Sequence, residues 1–226
     1  MRPKDRWGIG TCSGDAMEKS GSGVGRLHRR EVVATLLEDR GDLLVVTGLG
    51  SAAWDCTAAG DHDLTFPLWG GMGLAAMTGL GLSLARPDRR VLVMTGDGEM
   101  LMGLGSLATI GAQRPWNLSV AVLDNGCYGE TGMQASHTAH GVDLAAVAGA
   151  CAFSRTCTIT SVDEVLAFRS LVHKGQGPNF AVVKVYPEMV PLVLPPKHGV
   201  LLKRRFHSAL GVGEPDLDDG EGRADR

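Results

Sequence analysis

Gly96-Asp97-Gly98-Glu99 and Asp124-Asn125-Gly126 are the segments of this chain whose residue types point most directly to chemistry. Each follows an apolar run that reads as a buried parallel strand, residues 90–95 before the first and 118–123 before the second. Oxygen ligands carried at the carboxyl ends of two such strands converge on one crevice, where open α/β sheets bind small molecules. Magnesium takes octahedral oxygen coordination and keeps water or phosphate oxygens in several positions, so a protein supplies only one or two side chains. The Asp97 carboxylate and the Asn125 amide meet that need. Gly96 and Gly98 let the backbone approach a phosphate closely, and a helix beginning near Glu99 points N–H groups at an anion. The pattern reads as a magnesium-diphosphate clamp, with an ordinary Gly-Asp-Gly turn as the bland alternative.

Three further segments bear on the same crevice. Trp69-Gly70-Gly71-Met72-Gly73 lies inside a stretch, 64–85, without a single charged residue. Read as a helix from Met72, that stretch is apolar or small on every face, the mark of an element buried in a large core, an interface or a bilayer. Its glycines, and the stop at Arg86-Pro87-Asp88, favour an interface helix over a membrane span. The loop after Asn125 carries Tyr128, Glu130, Thr131, Gln134, His137 and His140, proton donors and acceptors suited to a specificity loop. Gly48, Gly50 and Ala53 match a dinucleotide-binding fingerprint, which leaves an NAD-binding oxidoreductase open. That fingerprint needs an acidic residue closing the next strand, whereas Asp61 and Asp63 precede theirs.

The elements that must position these residues alternate. The pattern predicts a helix over 27–39, a strand over 43–47, a loop over 48–53 and a strand over 64–68. The helix from Met72 comes next, then a strand over 91–95, a helix over 101–112, a strand over 118–123 and a loop over 126–140. A helix over 142–151, a strand over 156–159, a helix over 162–173 and a strand over 180–186 follow. This is the pattern of a three-layer α/β sandwich, with a mostly parallel central sheet and helices on both faces. Residues 27–187 form the domain, 1–26 read as a disordered tail, and 188–226 as a partly disordered extension whose basic helix would dock on a partner chain.

A length of 226 residues with 44% hydrophobic composition suits one domain of ordinary size. A net charge of −3 gives no broad electrostatic footprint for nucleic acid. No secretory segment is recognisable at the start. The five cysteines have no CxxC spacing, which points away from a zinc site and towards a reducing, cytoplasmic setting.

The pairing of Gly96-Asp97-Gly98 with Asp124-Asn125 is similar to the cofactor signature of thiamine-diphosphate-dependent enzymes, where GDG is followed a little under thirty residues later by Asn-Asn. Asp124 replaces the first Asn, and Asn125 is retained. The resemblance implies metal ligation of Mg2+ by Asp97, Asn125 and the Cys127 carbonyl. It implies cofactor contacts from Gly48, Gly50, Gly70, Gly71, Met72, Gly96, Asp97, Gly98, Glu99, Asn125, Cys127, Tyr128 and Gly129. Gly70 would accept from the aminopyrimidine, and Met72 would be the wedge that bends the cofactor. Met72, Tyr128, Glu130 and His137 are the implied catalytic set. Around the second half, Asp124-Asn125, Tyr128-Gly129 and Thr131-Gly132 with Gln134 resemble the β subunit of two-subunit sulfopyruvate and phosphonopyruvate decarboxylases. Such enzymes act on a small 2-oxo acid and need a pyrimidine-binding domain carrying a catalytic glutamate. A chain of one domain implies that a partner subunit supplies it, in an α2β2 or larger assembly. A carboligase, an oxoacid oxidoreductase subunit and a non-catalytic regulatory subunit are the alternatives within the family. No Arg or Lys stands in 95–113 or 125–142, so a sulfonate or phosphonate would be met by the partner.

Overall fold

Runs of Val, Leu and Ala too apolar to face water form the middle of the molecule. In a computed structural model residues 25–212 are described. The chain order is α1 (Arg29–Leu37), β1 (Leu44–Thr47), α2 (Ser51–Ala58), β2 (Thr65–Pro67), α3 (Ala75–Ala85) and β3 (Val91–Gly96). There follow α4 (Asp97–Met102), α5 (Ser106–Gln113), β4 (Leu118–Asp124), and a hairpin of β5 (Cys127–Tyr128) and β6 (Gln134–Ala135). Then come α6 (Leu144–Ala150), β7 (Arg155–Ile159), α7 (Val162–Lys174), β8 (Asn179–Lys184) and α8 (Gly199–Ala209). The main sheet has six strands in the order β2-β1-β3-β4-β8-β7, and every neighbouring pair is parallel.

Alternation along the strands divides the core. Val46, Val93, Val120, Val122 and Val182 point to a layer containing α3, α5 and α6, while Val45, Leu92, Met94, Ala121 and Val183 point to α1, α2 and α7. Both faces of the sheet are therefore covered, as a parallel sheet requires. The predicted three-layer sandwich is the observed one.

Local differences have identifiable causes. Residues 48–53 are not all loop: Gly50, at φ 74°, turns the chain directly into α2. The helix expected over 101–112 is two helices, broken at Gly103, because the backbone there presses on Gly73; a β-carbon on Gly103 would lie 2.2 Å from the Gly73 oxygen. The uncharged segment's helix begins at Ala75, after Gly71 and Gly73 take left-handed conformations. No helix among the described residues is long and apolar enough to cross a membrane. The predicted tail lies mostly outside the described residues, yet Arg26 and Leu27 are anchored: the Arg26 guanidinium donates to the Val185 carbonyl at 2.8 Å, and Leu27 bridges Val185. The C-terminal helix packs on its own chain. Phe206 meets Phe66 of β2 with ring centroids 5.3 Å apart, and Arg205 pairs with Asp61 at 2.6 Å.

Candidate functional site

Adjacent strands bring the two motifs together. β3 and β4 pair with Gly96 opposite Leu123, so the residues that follow, Asp97 and Asp124-Asn125, leave the sheet side by side. Both Asp97 and Asn125 line a cavity of about 320 Å³ at this carboxyl end, together with Leu49, Gly50, Ser51, Met72, Tyr128, Glu130 and others. The sheet crosses over at this point: β1 connects outward to β2, whereas β3 leads on to β4 on the other side.

Asp97 opens α4 and is 2% exposed. Its Oδ2 accepts from Ser136 Oγ and from Thr138 Oγ1, the latter at 3.2 Å. Burial, followed by the charge of Asp124, pushes the Asp97 carboxyl up to about 6. The single Thr138 hydroxyl proton is shared with Asp124 Oδ1, the nearer acceptor at 2.7 Å, and Lys184, at the end of β8, holds Asp124 Oδ2 at 2.5 Å. Lys184 thus neutralises the carboxylate that stands where the signature has an amide. Asn125 Oδ1 accepts the Cys127 N–H at 2.9 Å, which keeps a second lone pair of that oxygen available.

This donor set fits a hard divalent cation. A carboxylate kept from water and facing a second carboxylate is stabilised by a nearby cation, and the Asn125 amide oxygen and the Cys127 carbonyl are ligands of the same hardness. Among the described residues no three His, Cys, Asp or Glu side chains cluster as a metal site.

Glu99 does something the sequence did not suggest. Its carboxyl turns back into the loops, accepting from Thr95 Oγ1 at 2.9 Å and from the Ala75 N–H at 3.3 Å. The amides of Gly73 and Leu49 also favour its charge, against burial that raises its pKa. A β-carbon on Gly48 would overlap Glu99 Oε2, at 1.5 Å. Glu99 and Gly48 therefore tie the three glycine loops together, and Gly48 contributes clearance, not a cavity wall.

The other predicted residues divide. Met72, Gly96, Gly98, Cys127, Tyr128, Gly129 and Glu130 line the cavity. The Tyr128 ring lies on Gly98, where a β-carbon would be 2.6 Å from Cε1, and the Met72 methyl is 3.7 Å from the same point. Gly70 and Gly71 lie beside the cavity wall instead of in it. His137 also lies outside it; its Nδ1 reaches the Tyr128 hydroxyl at 3.3 Å. Burial and the Asp97 charge both raise the Tyr128 pKa. The Glu130 carboxyl lies over Gly50, 2.9 Å from where its β-carbon would be, which puts it at the start of α2 and away from Met72. Ser136, Thr138, Lys184 and Arg29 are functional candidates that sequence reading missed. The hydroxyl pair Ser136 and Thr138 flanking His137 was the only local hint.

Comparison with known proteins agrees with this geometry. The family described as thiamine pyrophosphate enzyme, C-terminal TPP binding domain, matches residues 51–183. The sulfopyruvate decarboxylase subunit beta of Methanothermobacter thermautotrophicus is 39% identical over 162 residues, 72% of this chain and 82% of the relative. The phosphonopyruvate decarboxylase of Streptomyces viridochromogenes is 40% identical over 146 residues, which are 65% of this chain and only 36% of that longer protein. The crystal structure of benzoylformate decarboxylase from Polynucleobacter necessarius shares the fold with a TM-score of 0.60 at 19% identity, over 74% of this chain and 34% of that one. With the strand-tip geometry and the family match in hand, the chain belongs to the thiamine pyrophosphate enzymes, whose C-terminal, TPP-binding domain it carries.

Proposed function

We propose that this chain is the diphosphate-binding subunit of a thiamine-diphosphate-dependent decarboxylase of 2-oxo acids, of the sulfopyruvate or phosphonopyruvate type. The observation that carries the reading is the register of β3 on β4, which sets Asp97 beside Asn125 at one wall of one cavity. The similarity to a β subunit over 82% of that relative's length supports the two-chain form. Asp97, Asn125 and the Cys127 carbonyl would hold Mg2+, whose charge would offset that of the diphosphate. When bound, thiamine diphosphate supplies the electron sink that lets carbon dioxide leave a 2-oxo acid. This chain's residues do the positioning. Ser136 and Thr138 fix the Asp97 carboxylate, Glu99 fixes the loops, Met72 and Tyr128 pack across Gly98, and the amides opening α2 would be available to an anion.

A partner subunit supplies the pyrimidine-binding domain and its glutamate, in an α2β2 or larger assembly. The uncharged helix α3 supports this, because Leu74, Met77 and Leu84 leave its outer face apolar and exposed. A cytoplasmic setting belongs to the same reading. The test is coexpression with the partner and assay of carbon dioxide release from sulfopyruvate, phosphonopyruvate, pyruvate and benzoylformate, with thiamine diphosphate and Mg2+. Release from an anionic 2-oxo acid, lost in Asp97→Ala, is the expected result. Turnover unchanged by chelation and by Asp97→Ala would refute it.

A further inference from the structure

One end of the cavity holds a side chain that none of the motifs uses. Arg29, the first residue of α1, is 4% exposed and lines the cavity beside Gly50, Ser51, Glu130 and Val185. Among the described residues its guanidinium makes no hydrogen bond: Nε and Nη1 are buried without an acceptor. Asp55, itself fully buried, stands 3.3 Å from Nη1, but its Oδ2 is likewise unbonded, and its Oδ1 accepts from Arg30 Nε at 3.1 Å. A single carboxylate is thus shared by two guanidinium groups. A buried guanidinium with unpaired donors is costly on its own and matches a ligand that brings several oxygens at once.

Two neighbours agree. α2 begins at Ser51 with no side-chain cap, and Trp54 is its first residue to find a helical acceptor, at the Gly50 oxygen. The amides of the three residues before it therefore lack helical partners, at the wall Arg29 shares. The chain's own Glu130 carboxyl lies over Gly50 at the same place, within Coulombic reach of Arg29.

We propose that Arg29 is an anion-binding residue of this site, taking a tetrahedral oxyanion group. The group is the outer phosphate of the cofactor's diphosphate, or the sulfonate or phosphonate of the substrate. The proposal rests on the function proposed above, and it brings to the site the cation that the stretches nearest the motifs lack.

The sources separate in two measurements on the full-length chain. Titration calorimetry with inorganic pyrophosphate and Mg2+ reads the phosphate arm. Kinetics of the complex with its partner, comparing sulfopyruvate with pyruvate, reads the substrate arm. The variant is Arg29→Met with Asp55→Leu, which removes the two buried charges together and leaves the part-exposed Arg30 its bond to the Pro191 carbonyl. Arg29→Lys, which keeps a charge beside Asp55 but loses the fork, is the second variant should the first fail to fold. If the diphosphate is the ligand, pyrophosphate affinity falls about tenfold or more. If the substrate anion is the ligand, pyrophosphate affinity holds while KM for sulfopyruvate rises about tenfold against an unchanged KM for pyruvate. Wild-type values in both measurements overturn the role of Arg29 and leave the clamp standing. A wild-type chain that binds no pyrophosphate with Mg2+ overturns the clamp, and Arg29's role with it.

Discussion

Asp124 is the residue whose identity most needs its surroundings. It is 2% exposed, and Lys184 Nζ, Thr138 Oγ1 and the Gly126 N–H surround its carboxylate. Removing one partner of a buried pair costs more than removing both. Lys184→Met should therefore cost about 2 kcal/mol in urea denaturation, and Asp124→Asn added to it should restore most of that; equal losses in the single and double variants would mean that the ion pair is not what matters. Asp97 gives a pH signature. Burial holds its carboxyl at about 6, above the ordinary 3.8 of an aspartate. Between those values the native state binds more protons than the unfolded one, so this contribution is complete below about pH 4 and fades as pH climbs through 6, a loss of roughly 3 kcal/mol. Magnesium should offset the loss above pH 6, and Asp97→Asn should show neither the slope nor the rescue. Denaturation from pH 4 to 8 with and without Mg2+ measures it, and a wild-type slope identical to that of Asp97→Asn would refute it. Asp97 and Asn125 were legible because each ends an apolar strand and sits among glycines. Ser136, Thr138, Lys184 and Arg29 were not, since the β5–β6 hairpin, the pairing of β4 with β8 and the packing of α1 on α2 bring them to the site.

Glycine loops at three strand ends make the cavity, and one carboxylate spaces them. Glu99 accepts from Thr95 and Ala75, and the amides of Gly73 and Leu49 face it as well, so every group around it is a donor. Glu99→Gln is nearly isosteric, yet its NH2 would face amides and leave donors unpaired. The expected cost is about 1–3 kcal/mol in stability, with a weaker affinity for thiamine diphosphate than the wild type by calorimetry. Unchanged stability and affinity would show that the carboxylate charge is dispensable. The alternation of strands and helices was readable because a doubly covered parallel sheet makes its inner strands apolar throughout, whereas the edge strand β7 is mostly exposed. The breaks were less so. The start of α2 at Ser51 depends on the positive φ of Gly50, and the end of α4 depends on Gly103 meeting Gly73 across the fold. Neither contact leaves a mark on local periodicity.

At the scale of the whole molecule, two helices of different character meet the surroundings. The basic helix α8 lies over the edge strand β2, drawn there by Asp61 and Asp63, far away in sequence, which pair with Arg205. The uncharged helix α3 turns Gly79 inward: a β-carbon there would lie 2.2 Å from the Val93 side chain, so the helix lies close to the sheet. Its outward face presents Leu74, Met77 and Leu84, with Met102 of α4 exposed as well. Apolar side chains gathered on one helix mark an interaction surface more than scattered exposed leucines do. Met77 and Leu84 contribute little to the fold of the isolated chain, because exposed positions on a helix tolerate substitution within about 0.5 kcal/mol. Met77→Glu with Leu84→Glu should therefore leave the melting curve of the isolated chain nearly unchanged. In the assembly the same two carboxylates would be buried without partners, and each unpaired buried charge is strongly unfavourable. The variant should fail to form the complex by light scattering coupled to gel filtration, and with it lose turnover, while the isolated chain keeps its affinity for magnesium pyrophosphate. A variant that assembles with wild-type stoichiometry and affinity would move the interface to another face.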